Sequence, residues 1–366
     1  MARQRRIILC GDLVWAHDEV EQLFHGVAVV VNMDSPNRAD FLMGLKPGGK
    51  YDGAVGIYRH NASADRIGVF DKEIITALAA TGTVKWIAHN GAGYDQIDIE
   101  ECAKRGSHPS FTLPFFLSLH LYTTTHAYYP RMYKIGISVS NTPGAVDDAT
   151  ATTALYLLIS CLRHFSLAER SLRTGTWKTP ISSGRTHDLT SRTLGILGLG
   201  GIGLRLANLV HAFPMRVVYY SRHRVRNAPE WCEYVGSMEA LLKQSDVLSV
   251  HVPLRADTIH LVGEKEIRTM KRGSVIINTA RGKIIDEEAL IRALEDGHIS
   301  SVGLDVYPDE PNVNPRLLAF PQNALLPHMG TETQDSQREM EIRALLNLRD
   351  FLLEGRGKDL VPEMRR

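Results

Sequence analysis

The chain has 366 residues, 44% of them apolar and 23% charged, with a formal net charge of +1. That is the composition of a globular protein long enough for two domains, and near-neutrality argues against a general nucleic-acid or membrane-surface binder, so any positive field must be local. Cys10, Cys102, Cys161 and Cys232 stand in no metal or CxxC spacing, and no run approaches the roughly 18 apolar residues of a membrane span; the expectations are no metal, reduced buried thiols and a cytoplasmic location.

The opening MARQRRIILCG has only about five consecutive apolar residues, too few for a signal segment, and reads as a first buried strand. In chain order IILCG (7–11), VAVVVN (27–32) and GAVGIY (53–58) are strands, FDKEIITALAA (70–80) is a helix, and VKWIAH (84–89) and ISVSN (137–141) are further strands. Residues 147–173 read as one long helix with an apolar face, able to bridge two units. From about residue 190 the alternation is stronger. TLGILGL (193–199), RVVYY (216–220), DVLSVHV (246–252), SVIINT (274–279), SVGLDV (301–306) and NALLP (323–327) are continuous apolar runs, as expected of a parallel sheet covered on both faces. Helices fall at 204–213, 237–244 and 286–297 between them, and at 331–354 after them, the last folding back onto the first unit. The pattern predicts an α/β protein of two doubly wound domains. The expected boundaries are 1–144 plus 331–366 for the smaller domain and 145–330 for a Rossmann-type domain.

Residues 107–136 fit neither unit. They hold three prolines, no acidic residue and no clear period. Their first half is rich in Phe, Leu, Ser and Pro, residues that pyrimidine-rich codons specify, so the stretch reads as a translated intron of roughly 90 nucleotides. A genuine insertion, serving as a lid or dimer contact, is the rival. The segment is expected to be poorly ordered and to add no catalytic residue.

Gly198-Leu199-Gly200-Gly201-Ile202-Gly203 is a GxGxxG that follows a strand and opens a helix. That context makes it a dinucleotide turn: Gly198 for the bend, Gly200 for close approach of a pyrophosphate, Gly203 for helix–strand packing. An acid that holds the ribose hydroxyls of NAD is expected some 18 residues past Gly203. Ser221 stands there instead, followed by Arg222, His223 and Arg224. A carboxylate would repel a 2′-phosphate, whereas a hydroxyl and guanidinium groups bind it, so the cluster predicts NADP(H), with NAD(H) possible.

Arg281, Asp305, Glu310 and His328 follow three strand ends, where open parallel sheets place ligands. Arg281 can grip a carboxylate or a ketone oxygen. His328 can transfer a proton, and Glu310 can orient the imidazole and favour its charged form.

With GILGLGGIG, HVPLRADTIHLV, MKRGSVIINTARGKIIDEEAL, GLDVYPDEP, LLPHMG, HNGAGYDQID and VSNTPGAVDDATATTAL, the chain resembles the D-isomer-specific 2-hydroxyacid dehydrogenases. It is most similar to their glyoxylate/hydroxypyruvate reductase and fungal D-mandelate dehydrogenase-like branches. The likeness spans nearly everything outside 107–136. It implies a Rossmann domain and a smaller flavodoxin-like substrate domain with the site in the cleft, and a homodimer. Arg281, Glu310 and His328 look like the catalytic set. Asp305 looks like the residue facing the nicotinamide, His251 and Pro253 like the adenosine wall, and Thr279 and Ala280 like contacts near the nicotinamide. Gly91, Ala92 and Gly93 look like the loop whose amides receive the substrate carboxylate, with Arg281 and His328 completing the substrate contacts. One departure is Ala151-Thr152-Thr153, where the family often has an acid. The implied activity is NADPH-dependent reduction of a small 2-keto acid. The alternatives are an aryl-specific dehydrogenase of the mandelate type and a non-catalytic dinucleotide-sensing corepressor-like protein.

Overall fold

A computed structural model of the chain describes residues 5–104 and 136–365. It divides into two compact units, Met1–Thr142 with Glu341–Arg366, and Pro143–Met340.

The first unit is a sheet of β1 (Arg6–Cys10), β2 (Val29–Asn32), β3 (Ala54–His60), β4 (Trp86–Asn90) and β5 (Ser138–Ser140), in the order β2-β1-β3-β4-β5. Every pair is parallel. That is the flavodoxin-like order. Alternate side chains feed two cores, as the two-residue period of a strand requires. Ile8, Cys10, Ile57 and Ile87 pack with Phe41, Ile74 and Leu78 on one face, and Ile7, Leu9, Tyr58 and Trp86 with Leu345, Leu348 and Leu352 on the other. The last three belong to the helix Gln334–Glu354, whose Glu341 carboxylate accepts the amides of Val14, Trp15 and Ala16.

The second unit has seven parallel strands: β6 (Thr193–Leu197), β7 (Arg216–Tyr220), β8 (Cys232–Tyr234), β9 (Val247–Val250), β10 (Ser274–Asn278), β11 (Ile299–Leu304) and β12 (Ala324–Leu325). Their order is β12-β11-β10-β9-β6-β7-β8, the dinucleotide-binding arrangement with its crossover point between β6 and β9. Strand β8 was not expected; it is a three-residue edge strand in a stretch too short and polar to show a period.

The expected helix 147–173 is two helices, Asp147–Arg163 and Phe165–Arg173, bent by 74°. His164 breaks it with a left-handed φ of 52°, and its amide closes onto Ser160 O. No Gly or Pro marks the break, which is why the pattern ran through it. The first of these helices packs on the helix Gly201–His211 and on β10 and β11, all within the second unit. Among the described residues no single helix is long and apolar enough to cross a membrane, and no cluster of three or more metal-type side chains occurs. The four cysteines are buried thiols.

The segment 107–136 lies outside the described residues except for Gly136. Its flanks are informative. Ile137 N–H donates to Cys102 O at 3.2 Å, and a Cβ on Gly136 would meet that same carbonyl at 2.7 Å. The chain therefore returns to within one hydrogen bond of where the helix Ile99–Lys104 ends. Removing 107–136 would put Gly106 in the place of Gly136, where only a glycine fits. The join lies at the amino-terminal edge of the sheet, away from the strand ends that carry ligands. A chain lacking 107–136 is expected to be at least as soluble and active as the full chain. Loss of folding or turnover in that deletion would show the segment to be needed, and a mature transcript that always encodes it would end the intron explanation.

Candidate active site

In the second unit the glycine turn sits between β6 and the helix Gly201–His211, beside the crossover point. Gly198 has a φ of 96°, and a Cβ there would lie 2.9 Å from Val252 Cγ1 and 3.0 Å from the His251 carbonyl carbon. Gly203 packs against Gly198 O, 2.6 Å from where its Cβ would be. A Cβ on Gly200 would meet nothing within 4 Å, so the backbone there is open to a ligand. Gly201 is different: its missing Cβ makes room for the Asp147 carboxylate. Ile202 is half-buried against the sheet. The helix first turn holds no acid and presents amides without intrahelical acceptors.

Ser221 Oγ accepts the Leu199 amide at 2.9 Å. The hydroxyl thus braces the glycine turn through a lone pair and keeps its own proton to donate. Arg222, His223 and Arg224 are exposed and make no hydrogen bond or ion pair among the described residues. Across the crossover point the His251 ring bonds Ser249 Oγ at 2.8 Å, and burial pushes it down to about 4, so it is neutral. Pro253 is exposed beside it. Thr279 Oγ1 is buried without a partner among the described residues. Ala280 is engaged at both ends, its amide donating to Asn278 Oδ1 at 2.9 Å and its carbonyl accepting Arg281 Nη1 at 2.7 Å. The open Gly200, the acid-free helix start and the orphan Thr279 hydroxyl fit a dinucleotide.

Three loops then bring Arg281, Glu310 and His328 together. Asn278 Nδ2 donates to Arg281 O at 2.9 Å and pins the loop after β10. Gly282 lies flat on the Tyr307–Pro308 backbone, where any Cβ would overlap it. This packing brings Arg281 close enough for its charge to act on Glu310. Glu310 Oε1 accepts the Tyr307 amide at 2.8 Å, and its Oε2 bonds His328 Nδ1 at 2.7 Å. Burial raises the Glu310 carboxyl, but the bonds from His328 and Tyr307 and the charges of His328 and Arg281 outweigh it and hold the group below its usual range. An ionised carboxylate only accepts, so His328 Nδ1 carries a proton. Nε2 has no partner among the described residues, and the side chain is 44% exposed.

His328 is held at a φ of 58°, a left-handed conformation costing a non-glycine residue about 1 kcal/mol or more. The surroundings impose it. Asp305, itself 1% exposed, accepts the amides of Met329 at 2.6 Å and Gly330 at 2.8 Å with its two oxygens. Thr150 Oγ1 donates to Gly330 O at 3.0 Å. Burial pushes the Asp305 carboxyl up; the two amide bonds and the His328 charge oppose this without reversing it. Asp305 therefore braces the loop that carries His328. Thr150 and Asn278 are supports that no motif reading named, since their roles are set by packing between distant segments.

In the first unit the turn after β4 is built to expose amides. Gly91 O accepts the Thr142 amide at 3.1 Å, Ala92 O accepts Asn141 Nδ2 at 2.8 Å, and Gly93 O accepts His89 Nε2 at 2.8 Å. All three carbonyls are thereby tied to the protein. The Gly91 amide is also committed, to Thr142 Oγ1 at 3.2 Å. Those of Ala92 and Gly93 have no acceptor among the described residues.

The D-isomer specific 2-hydroxyacid dehydrogenase, NAD binding domain family matches residues 155–330. The 4-methyl-2-oxopentanoate reductase A of Aspergillus oryzae is 39% identical over 98% of both chains. This chain belongs to the D-isomer-specific 2-hydroxyacid dehydrogenase family. Three solved structures agree. A glyoxylate reductase from Paecilomyes thermophila is 39% identical, with a TM-score of 0.86 over 99% of both chains. A Rhodotorula graminis D-mandelate dehydrogenase is 29% identical, with a TM-score of 0.82 over 98% of both. An NADPH-dependent glyoxylate/hydroxypyruvate reductase from Sinorhizobium meliloti, in complex with NADP and malonate, is 27% identical, with a TM-score of 0.77 over all of this chain and 99% of that one. The family is one of oxidoreductases that act on 2-hydroxy or 2-keto acids, so the two-unit fold and the dinucleotide turn have their place in it.

Proposed function

We propose that this chain reduces a small 2-keto acid, glyoxylate or hydroxypyruvate, to the D-2-hydroxy acid, with NADPH preferred over NADH. The observation that carries this reading is the His328–Glu310 pair, bonded through Nδ1 at 2.7 Å with Nε2 left available. When bound, the reduced nicotinamide supplies the hydride. The protein does the rest. Ala92 and Gly93 amides receive the substrate carboxylate, and Arg281 polarises the keto oxygen. His328 gives its Nε2 proton to that oxygen as it gains charge, while Glu310 stabilises the charged ring. The NADP-bound Sinorhizobium meliloti reductase supports the cofactor reading, as does the Paecilomyes thermophila glyoxylate reductase the substrate reading.

A second reading, a branched substrate, is favoured by the Aspergillus oryzae 4-methyl-2-oxopentanoate reductase. Steady-state oxidation of NADPH with glyoxylate, hydroxypyruvate, 4-methyl-2-oxopentanoate and phenylglyoxylate separates them. The highest kcat/KM is expected with one of the two small acids. A branched or aryl acid preferred by a decade or more overturns the small-substrate reading. No turnover with any of the four leaves a non-catalytic dinucleotide sensor in its place.

A further inference from the structure

We propose that Arg59, acting through His89, is a positioning residue for the anion-receiving turn at Ala92 and Gly93. The proposal rests on the reading that this turn takes the substrate carboxylate, and it adds what holds the turn in shape. Arg59 and His89 are in register on the neighbouring parallel strands β3 and β4, and both are fully buried. The guanidinium donates from Nη1 to Asn61 Oδ1 at 2.6 Å and to His89 Nδ1 at 3.3 Å, and from Nη2 to Gln96 Oε1. It also lies over the Phe70 ring, 5.4 Å from its centre.

A guanidinium can only donate. His89 Nδ1 must therefore accept, which puts the ring proton on Nε2, and Nε2 donates it to Gly93 O at 2.8 Å. The direction of the whole relay follows from Arg59. Holding the Gly93 carbonyl anchors the end of the turn, in which the Ala92 and Gly93 amides share their peptide planes with the Gly91 and Ala92 carbonyls that the Thr142 amide and Asn141 Nδ2 hold. Gly91 is part of the same device, because a Cβ there would lie 2.8 Å from His89 Nε2. Burial and then the Arg59 charge push His89 down to about 3, so the ring stays neutral and the relay keeps its polarity. Burial lowers Arg59 only to about 10, so it remains charged. The other charged or titratable groups acting on the pair are Asp95, which favours both charged forms, and the buried thiol of Cys10. An apolar side chain would fill this place at less cost than a buried cation. What it would not supply is a donor toward Nδ1.

The test uses the full chain and three variants. His89→Leu breaks the relay, Arg59→Lys weakens its origin, and His89→Gln preserves it, because a glutamine offers an oxygen to Arg59 and an N–H to Gly93. His89→Leu and Arg59→Lys are expected to raise KM for the keto acid and Kd for malonate about tenfold. Turnover should stay within about threefold and NADPH affinity should not change. His89→Gln should recover most of the loss. Unchanged KM and malonate affinity in His89→Leu, in a protein that still turns over, overturns the proposal; so does an equal loss in His89→Gln. If the native chain neither reduces a keto acid nor binds malonate, the reading of the site has failed instead. The relay is then judged alone, by the ring nitrogen and carbon chemical shifts of His89. They must report the Nε2–H tautomer, and an Nδ1–H ring rejects the proposal whatever the activity.

Discussion

His328→Ala is expected to lose at least about two decades of keto-acid reduction, the usual contribution of a positioned general acid. The structure gives the reason. Nδ1 is committed to Glu310 at 2.7 Å, so Nε2 is the one ring atom left to deliver a proton, and alanine has no substitute for it. Affinity for NADPH should be nearly unaffected, because the glycine turn and the basic cluster lie on other loops. Glu310→Gln is the companion test. The amide oxygen can still accept from Nδ1, but the negative charge is gone. The imidazolium then loses its proton more readily, so the alkaline limb of the reduction profile moves to lower pH. The carboxyl of Glu310 is held below its usual range, so in the native protein the pair survives acidification better than an ordinary carboxylate would allow. Near-normal turnover in His328→Ala, measured with saturating NADPH and keto acid, would remove the residue from the mechanism.

Arg222→Ala should raise KM for NADPH by about one to two decades and leave NADH almost untouched. The estimate is the loss of one charge-assisted contact to a 2′-phosphate, on the order of 1.5–3 kcal/mol. In the structure Arg222 is exposed and pairs with nothing among the described residues, so binding a phosphate breaks no existing ion pair. Ser221→Ala should behave differently. Its Oγ also holds the Leu199 amide at 2.9 Å, so its loss loosens the glycine turn that serves both cofactors. NADPH should suffer more and NADH should suffer too. Equal kcat/KM for the two cofactors in the native protein would overturn the reading of Ser221 and Arg222.

Among the described residues eleven of the twelve strands were legible in order, because each lies in a run rich in apolar and β-branched residues, and those at the centre of the two sheets are buried throughout. Burial in a parallel sheet is a property of composition over five or six residues and needs no knowledge of the partner strand. The exception, Cys232–Tyr234, is an edge strand with solvent on one side, and its residues carry no such mark. The break at His164 was invisible for a related reason. A left-handed residue that is not glycine is imposed by its neighbours in space, and nothing in its own type announces it.

The same division runs through the site. By itself the sequence determined which chemical groups are present at which strand ends: a glycine turn, a basic cluster in place of an acid, and Arg281, Glu310 and His328. It determined these because loops that follow parallel strands all emerge at one edge of the sheet, whatever the details of packing. Tertiary structure alone decided how each group is used. It gave Asp305 a bracing role for the His328 loop that its position in the sequence did not reveal, since both its oxygens accept amides of residues more than twenty positions away. It also withdrew the Gly91 amide by placing Thr142 Oγ1 against it, leaving Ala92 and Gly93 to present theirs. Hydrogen-bond polarity depends on which donor meets which acceptor in space, and that information arises only when distant segments of the chain are brought together.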